Sequence, residues 1–237
     1  MGAAAKTIVV GGIEINVFKK PIKNLHLSVH PPDGWVRVSA PLYFGEDAIR
    51  LAVIKRLSWI KKHRERMRKQ PRQSPREMVN GESHFFLGKR YLLQVKEDRG
   101  RQGIKISGSR MHLFVRPGAD RDRRLHVLNE WYRTELKALL PEMVSKWEEK
   151  MGVGVKELRI KRMKTKWGSC NPAARRIWLN LELAKKPPHL IEYVLVHEMA
   201  HFFEGRHNDN FKAIMDKFLP NWRLYRDELA SLPILMD

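Results

Sequence analysis

Apolar and polar residues alternate over Ile13-Glu14-Ile15-Asn16-Val17, again over Leu25–Val29, and again over Trp35–Val38. A period of two sends successive side chains to opposite faces, so residues 7–40 predict short β-strands, with Pro31-Pro32-Asp33-Gly34 turning the chain between the last two. The period changes after Gly45. Ile49, Val53, Leu57 and Ile60 recur at helical spacing and predict one helix to about Lys69. Pro71, Pro75 and Gly81 then interrupt the pattern as a linker. Two hairpins follow, one from Phe85 to Leu93 turning at Gly88, the other from Ile104 to Val115 turning near Gly108-Ser109. A long helix is expected from Arg121 to Lys150, buried mainly through Leu125, Leu128, Trp131, Leu136, Leu139 and Leu140, and ended by Met151-Gly152. Beyond it lie a strand over Leu158–Lys164 and another over Ile177–Leu183, whose four apolar residues share one face. A helix opens at Pro187-Pro188, where a missing amide costs least, and short helices are expected at Asn210–Phe218 and Asn221–Ser231. No internal repeat or low-complexity tract is visible.

Composition adds one strong signal. The 237 residues carry 46 Lys/Arg against 26 Asp/Glu, a formal net charge of +20. The excess is uneven: from Pro187 onward there are five Lys/Arg and eight Asp/Glu, so the basic surplus lies in residues 1–186. A nucleic acid or another polyanion is the partner such a surface suits, with the basic stretch Lys55–Lys69 in the N-terminal part as the candidate contact; the plainer reading is a solvated, soluble face. No apolar run has the length of a membrane span, and the N-terminus lacks a charged region followed by a long apolar stretch, so a cytoplasmic protein without membrane contact is expected. Cys170 is the single cysteine, which excludes an internal disulfide framework.

The candidate chemistry sits in VLVHEMAHFFEGRHNDNF, from Val194 to Phe211. His197-Glu198-Met199-Ala200-His201 fits H-E-x-x-H. On a helix, residues i and i+4 project from one face, so both imidazoles reach one ion, and zinc is the metal that this donor type favours. Glu198 lies beside that face, where a carboxylate serves as general base rather than as a ligand. A catalytic zinc usually takes a third protein ligand and keeps a position open. His207 is one candidate, if Gly205 ends the helix through a left-handed cap and the chain reverses; Asp209 and Asp216 are the others. The remaining histidines (His26, His30, His63, His84, His112, His126 and His189) lack ligand spacing and read as surface or packing residues. Tyr193, Arg206 or a backbone amide could stabilise an oxyanion, and the sequence does not choose among them.

The block Met163-Lys164-Thr165-Lys166-Trp167-Gly168-Ser169-Cys170, the strand Ile177–Leu183 and the run His197–His201 with His207 and Phe211 behind it resemble the YgjP-like metallopeptidases, relatives of the SprT and WLM zinc proteases. Weaker echoes lie in Phe86–Tyr91 and Trp131–Arg133, so the resemblance spans about residues 25 to 225. It implies an α+β fold, with a zincin-like catalytic domain over 119–237 behind a β-rich N-terminal region with a basic helix over 1–118. It also implies zinc on His197, His201 and His207, Glu198 as acid/base, and hydrolysis of a protein or peptide substrate. Some relatives act on proteins attached to DNA, which would suit the basic surface. Within the Lys164–Cys170 block, the backbone could pair with an extended peptide. The plainer reading packs Trp167 in the core, turns the chain at Gly168 and buries Cys170 as a small residue, against a thiolate near the metal. The competing expectation for the whole chain is a basic nucleic-acid-binding protein with a structural or vestigial metal site.

Overall fold

The computed structural model of the chain describes residues 6–30, 34–69 and 76–232, with the side chains of 66–69 excepted. The chain divides into two compact units, Met1–Arg72 and Gln73–Asp237, each with its own hydrophobic cluster.

The first unit runs β1 (Lys6–Val10), β2 (Ile13–Lys20), β3 (His26–His30), β4 (Trp35–Pro41), α1 (Glu46–Ile54) and α2 (Leu57–Lys69). Its sheet has the order β1-β2-β4-β3, with the two central strands parallel and each outer pair antiparallel. Ile15, Val17, Val36, Val38 and Ala40 alternate into the core, where Ile49, Val53 and Ile60 cover them. The single helix expected over Gly45–Lys69 is therefore two. Arg56 N bonds to Val53 O rather than four residues back, and this tight turn at Lys55-Arg56 re-aims the chain so that Ile60 reaches the same core as Ile49 and Val53. Most of the expected turn at Pro31–Gly34 lies outside the described residues.

The second unit opens with β5 (Ser83–Phe86), β6 (Lys89–Glu97), β7 (Gly103–Ser107) and β8 (Arg110–Val115), followed by α3 (Arg121–Met151). Its sheet, β5-β6-β8-β7, has the same order and the same pairing senses as the first. The chain thus contains a repeated four-strand arrangement followed by a helix, which the sequence does not display. Pairing sense follows from how the strands are connected and register from which faces are apolar, and many residue combinations satisfy both.

Leu93, Met111, Leu113 and Val115 of this second sheet share one cluster with Leu128, Tyr132 and Leu136 of α3. The boundary expected between 118 and 119 consequently falls inside the second unit. α3 is capped by Asp120, whose side chain accepts from Arg123 N, and ends at Gly152 with φ 66°. Tyr132 is fully buried and donates to the Phe85 carbonyl at 2.7 Å, whereas Trp131 and Leu139 are only half-buried.

Three short strands follow: β9 (Glu157–Lys161), β10 (Gly168–Asn171) and β11 (Arg176–Asn180), with β11 in the centre, antiparallel to β10 and parallel to β9. β9 stops three residues short of the expected strand. β11 ends at Asn180, and Leu181–Lys185 form a 3-10 turn in place of the rest of the strand expected to Leu183. Asn180 causes the change, its side chain accepting from Glu182 N. Leu181 and Leu183 are buried all the same, so their spacing could not distinguish the two conformations.

α4 (Pro188–Ala200) starts where Pro187 and Pro188 predict it, and α5 (Asp209–Phe218) and α6 (Trp222–Ser231) complete the unit. The β5–β6 hairpin fixes the start of α4. Leu87 N and Gly88 N donate to Ala184 O and Lys185 O, and a β-carbon on Gly88, whose φ is 81°, would lie 2.8 Å from Pro187 Cγ. Leu190, Ile191, Val194, Leu195, Val196, Met199 and Ala200 are all buried, which makes α4 the central helix of the core.

Candidate metal centre

On α4, His197 and His201 stand one turn apart with ring centroids separated by 5.2 Å. The helix ends at His201, and Phe202 N and Phe203 N bond back to Met199 O and Ala200 O. Gly205 does not provide the left-handed cap that its position suggests: its backbone is not left-handed, and a β-carbon there would meet nothing within 4 Å. Asn208 does the work instead. Its side chain caps α5 by accepting from Phe211 N at 3.0 Å, and the tight loop before it carries His207 back to the helix.

His207 Nε2 lies 3.0 Å from His197 Nε2, and one nitrogen from each of His197, His201 and His207 falls within 4.8 Å of the others. The buried ring of Phe211 forms a floor under all three, with centroids 5.0, 4.7 and 4.8 Å from them. Asp209 and Asp216 are engaged elsewhere, the first with Lys212, the second with Trp222 and Arg223.

The donor chemistry fits a divalent metal. His201 Nδ1 lies 3.0 Å from the Glu204 carbonyl, an arrangement that places the proton on Nδ1 and leaves Nε2 as the donor atom. Burial, reinforced by the neighbouring His201 and His207, pushes His197 down to about 4, so this ring is neutral, as a ligand must be.

Glu198 is 6% exposed and faces β10. A β-carbon on Gly168 would lie 2.6 Å from Glu198 Oε1 and 2.7 Å from its Cγ. Gly168 is thus not a turn residue but the strand position whose bareness makes room for this carboxylate. Burial pushes Glu198 up to about 7, opposed by the charge of Lys166. A cation on the histidines would add to that opposition and favour the carboxylate form.

These groups open onto a cleft of about 600 Å³, lined also by Tyr193, Cys170 and, from α6, Arg226 and Leu229. Tyr193 is one turn before His197, 5.9 Å away by ring centroid; burial holds its hydroxyl up at about 12, in the donor form. The Cys170 thiol is pushed up to about 12 by burial and by Glu198, and it stands outside the histidine cluster. Arg206 does not line the cleft. Among the other histidines, His30, His63, His84 and His189 bond to Ser28, Trp59, Glu82 and Glu228 respectively.

Sequence reasoning missed α6 as a wall of the cleft and Asn180 as the anchor of its rim. Asn180 is wholly buried. It donates to the carbonyls of Met163 and Lys166, accepts from Met163 N, and its own amide bonds to Trp167 O. Asn180→Ala would strand two carbonyls, and the expected destabilisation, read from denaturant midpoints, is about 2–4 kcal/mol. An unchanged midpoint would show that the loop is held by other means.

The family described as YgjP-like, metallopeptidase domain, matches residues 23–232 of the chain. No curated protein matches it. Among solved structures, the metallopeptidase zymogen of Pyrococcus abyssi abylysin aligns at 18% identity with a TM-score of 0.35, covering 38% of this chain and 90% of its own. That of Methanocaldococcus jannaschii jannalysin aligns at 18% identity and 0.33, covering 38% and 91%.

Proposed function

The chain belongs to the YgjP-like metallopeptidase family, and on that premise we propose that it is a zinc-dependent peptidase, with His197, His201 and His207 as ligands and Glu198 as the acid–base group. The observation that carries this reading is the convergence of three imidazole nitrogens beside a buried carboxylate at the wall of an open cleft. Zinc at such a site supplies a Lewis acid for the peptide carbonyl and lowers the pKa of a water. Glu198 takes the proton from the attacking water and delivers it to the leaving amine. Tyr193, protonated and lining the cleft, donates to the carbonyl oxygen as charge builds there.

β10 is an edge strand, with β11 on one side, and Gly168, Ser169 and Cys170 line the cleft. An extended peptide pairing with that edge would lie along the histidines. A purely structural zinc site would be closed by a fourth protein ligand and would have no use for Glu198, which favours an enzyme over a binding module with a vestigial site. No described helix is long and apolar enough to cross a membrane.

The test is metal content and peptide turnover of purified wild type and His201→Ala after zinc is offered. About one zinc per chain is expected in wild type, with cleavage of unstructured peptides. Both should be lost in the variant. A variant that kept full zinc and turnover would end this assignment of ligands.

A further inference from the structure

Apart from Glu198 and the histidines, the charged side chains lining the cleft are Lys166 and Arg226, and both are cations. They come from different walls, Lys166 from the approach to β10 and Arg226 from α6. Each acts on the catalytic groups: the charge of Lys166 is felt at Glu198, that of Arg226 at Tyr193.

The Lys166 backbone and the Arg226 side chain are both held in place. The backbone of Lys166 and Trp167 is pinned by buried Asn180, through bonds of 2.7 Å to the Lys166 carbonyl and 2.8 Å to the Trp167 carbonyl. The Arg226 guanidinium lies 5.3 Å from the ring of buried Trp222, and its Nε donates to Asp227 at 2.9 Å. The terminal nitrogens of Arg226 take no acceptor among the described residues. Asp227 is therefore engaged at one edge of the guanidinium, and the other nitrogens remain for an incoming group. Glu204, the nearest acid on the loop carrying His207, is bonded to the Arg206 amide at 2.9 Å and does not line the cleft.

Two cations on separate walls of the cleft give it a positive field that an anionic substrate complements. We propose that the cleft selects peptides with acidic side chains flanking the scissile bond, one carboxylate meeting Lys166 on the β10 wall and the other meeting Arg226 on the α6 wall. This rests on the peptidase reading above and adds the class of substrate. The Arg226 fork suits a carboxylate through paired N–H donors, and Lys166 supplies a mobile point charge. The same charges steer acidic peptides inward and reject basic ones.

The experiment compares three peptides of equal length, flanked by Asp/Glu, Asn/Gln or Lys/Arg. They are offered to the zinc-loaded full chain as wild type, Lys166→Glu and Arg226→Glu, with Arg226→Gln as a milder variant should the reversal disturb folding. In wild type, kcat/KM is expected to fall about tenfold from acidic to neutral and again to basic peptide at low salt, and the spread should narrow as salt is raised. Each reversal is expected to shift the preference about tenfold toward the basic peptide. A second readout is anisotropy of the labelled acidic peptide on Glu198→Gln protein, where added Arg226→Gln should weaken binding several-fold. Equal cleavage of all three peptides by wild type would overturn the acidic selectivity and leave the peptidase reading standing. No cleavage of any peptide by zinc-loaded wild type would overturn both.

Discussion

Glu198→Gln is expected to keep zinc bound at wild-type stoichiometry while lowering kcat by roughly 10²–10⁴-fold. The amide has nearly the same shape as the carboxylate, so it fits the space left by Gly168 and leaves the histidine cluster undisturbed. What it lacks is the ability to accept a proton from water. His201→Ala and Glu198→Gln should therefore separate cleanly in a metal assay, the first losing the ion and the second only the chemistry. KM should change little if Glu198 acts, as proposed, in the transition state rather than in holding the substrate. A Glu198→Gln protein that still turns over at a tenth of the wild-type rate would remove the carboxylate from the role given to it here.

Gly168→Ala is the second large effect, and it acts through the same group. One methyl placed 2.6 Å from Glu198 Oε1 and 2.7 Å from Cγ cannot be accommodated without moving the carboxylate. Glu198 is buried, so it has little room to retreat, and the overlap reaches into the middle of the side chain, not just its tip. Two costs follow. Stability should drop by about 1–3 kcal/mol from overpacking, and kcat should fall by roughly 10²-fold or more as the base leaves its position. Zinc content should be retained, because the three atoms nearest the new methyl all belong to Glu198 rather than to a histidine. The discriminating measurement is the double variant. In a Glu198→Gln background the added Gly168→Ala should cost kcat little further, since the base is already gone. A full additional loss there would mean that Gly168 serves the site by another route, such as the backbone that β10 offers to a peptide.

Most elements were legible from periodicity. The helix from Arg121, the Pro187-Pro188 start, and the turns at Gly88 and Gly108 all lie where the pattern places them, because caps, prolines and tight turns act within a few residues of chain. The failures have a common physical origin. Ile177–Leu183 leaves the strand at Asn180 unannounced by its pattern, because a strand and a 3-10 turn bury alternating leucines equally well. Gly45–Lys69 holds two helices rather than one because a stripe of apolar residues does not record the tight turn at Arg56 that keeps them on one core. The sheet β5–β8 packs on α3, and nothing in an apolar strand face names the helix that will cover it.

The sequence by itself determined the helix that brings two of the three clustered histidines together. His197 and His201 share a face because the α-helix has 3.6 residues per turn, and Glu198 lies beside them for the same reason. His207 was in reach by spacing, yet the turn that delivers it is made by Asn208 and Phe211 rather than by Gly205. Only the tertiary structure decided what that helix meets and what lines its cleft: Gly168 against Glu198, Asn180 bonded to the Lys166 carbonyl, and Lys166 and Arg226 in one cleft from different elements. Those residues are separated from the histidines by whole strands and helices. Their juxtaposition comes from how the buried faces of α4, β10, β11 and α6 pack together, and local periodicity, which records only which side of an element is apolar, carries no information about which element it will meet.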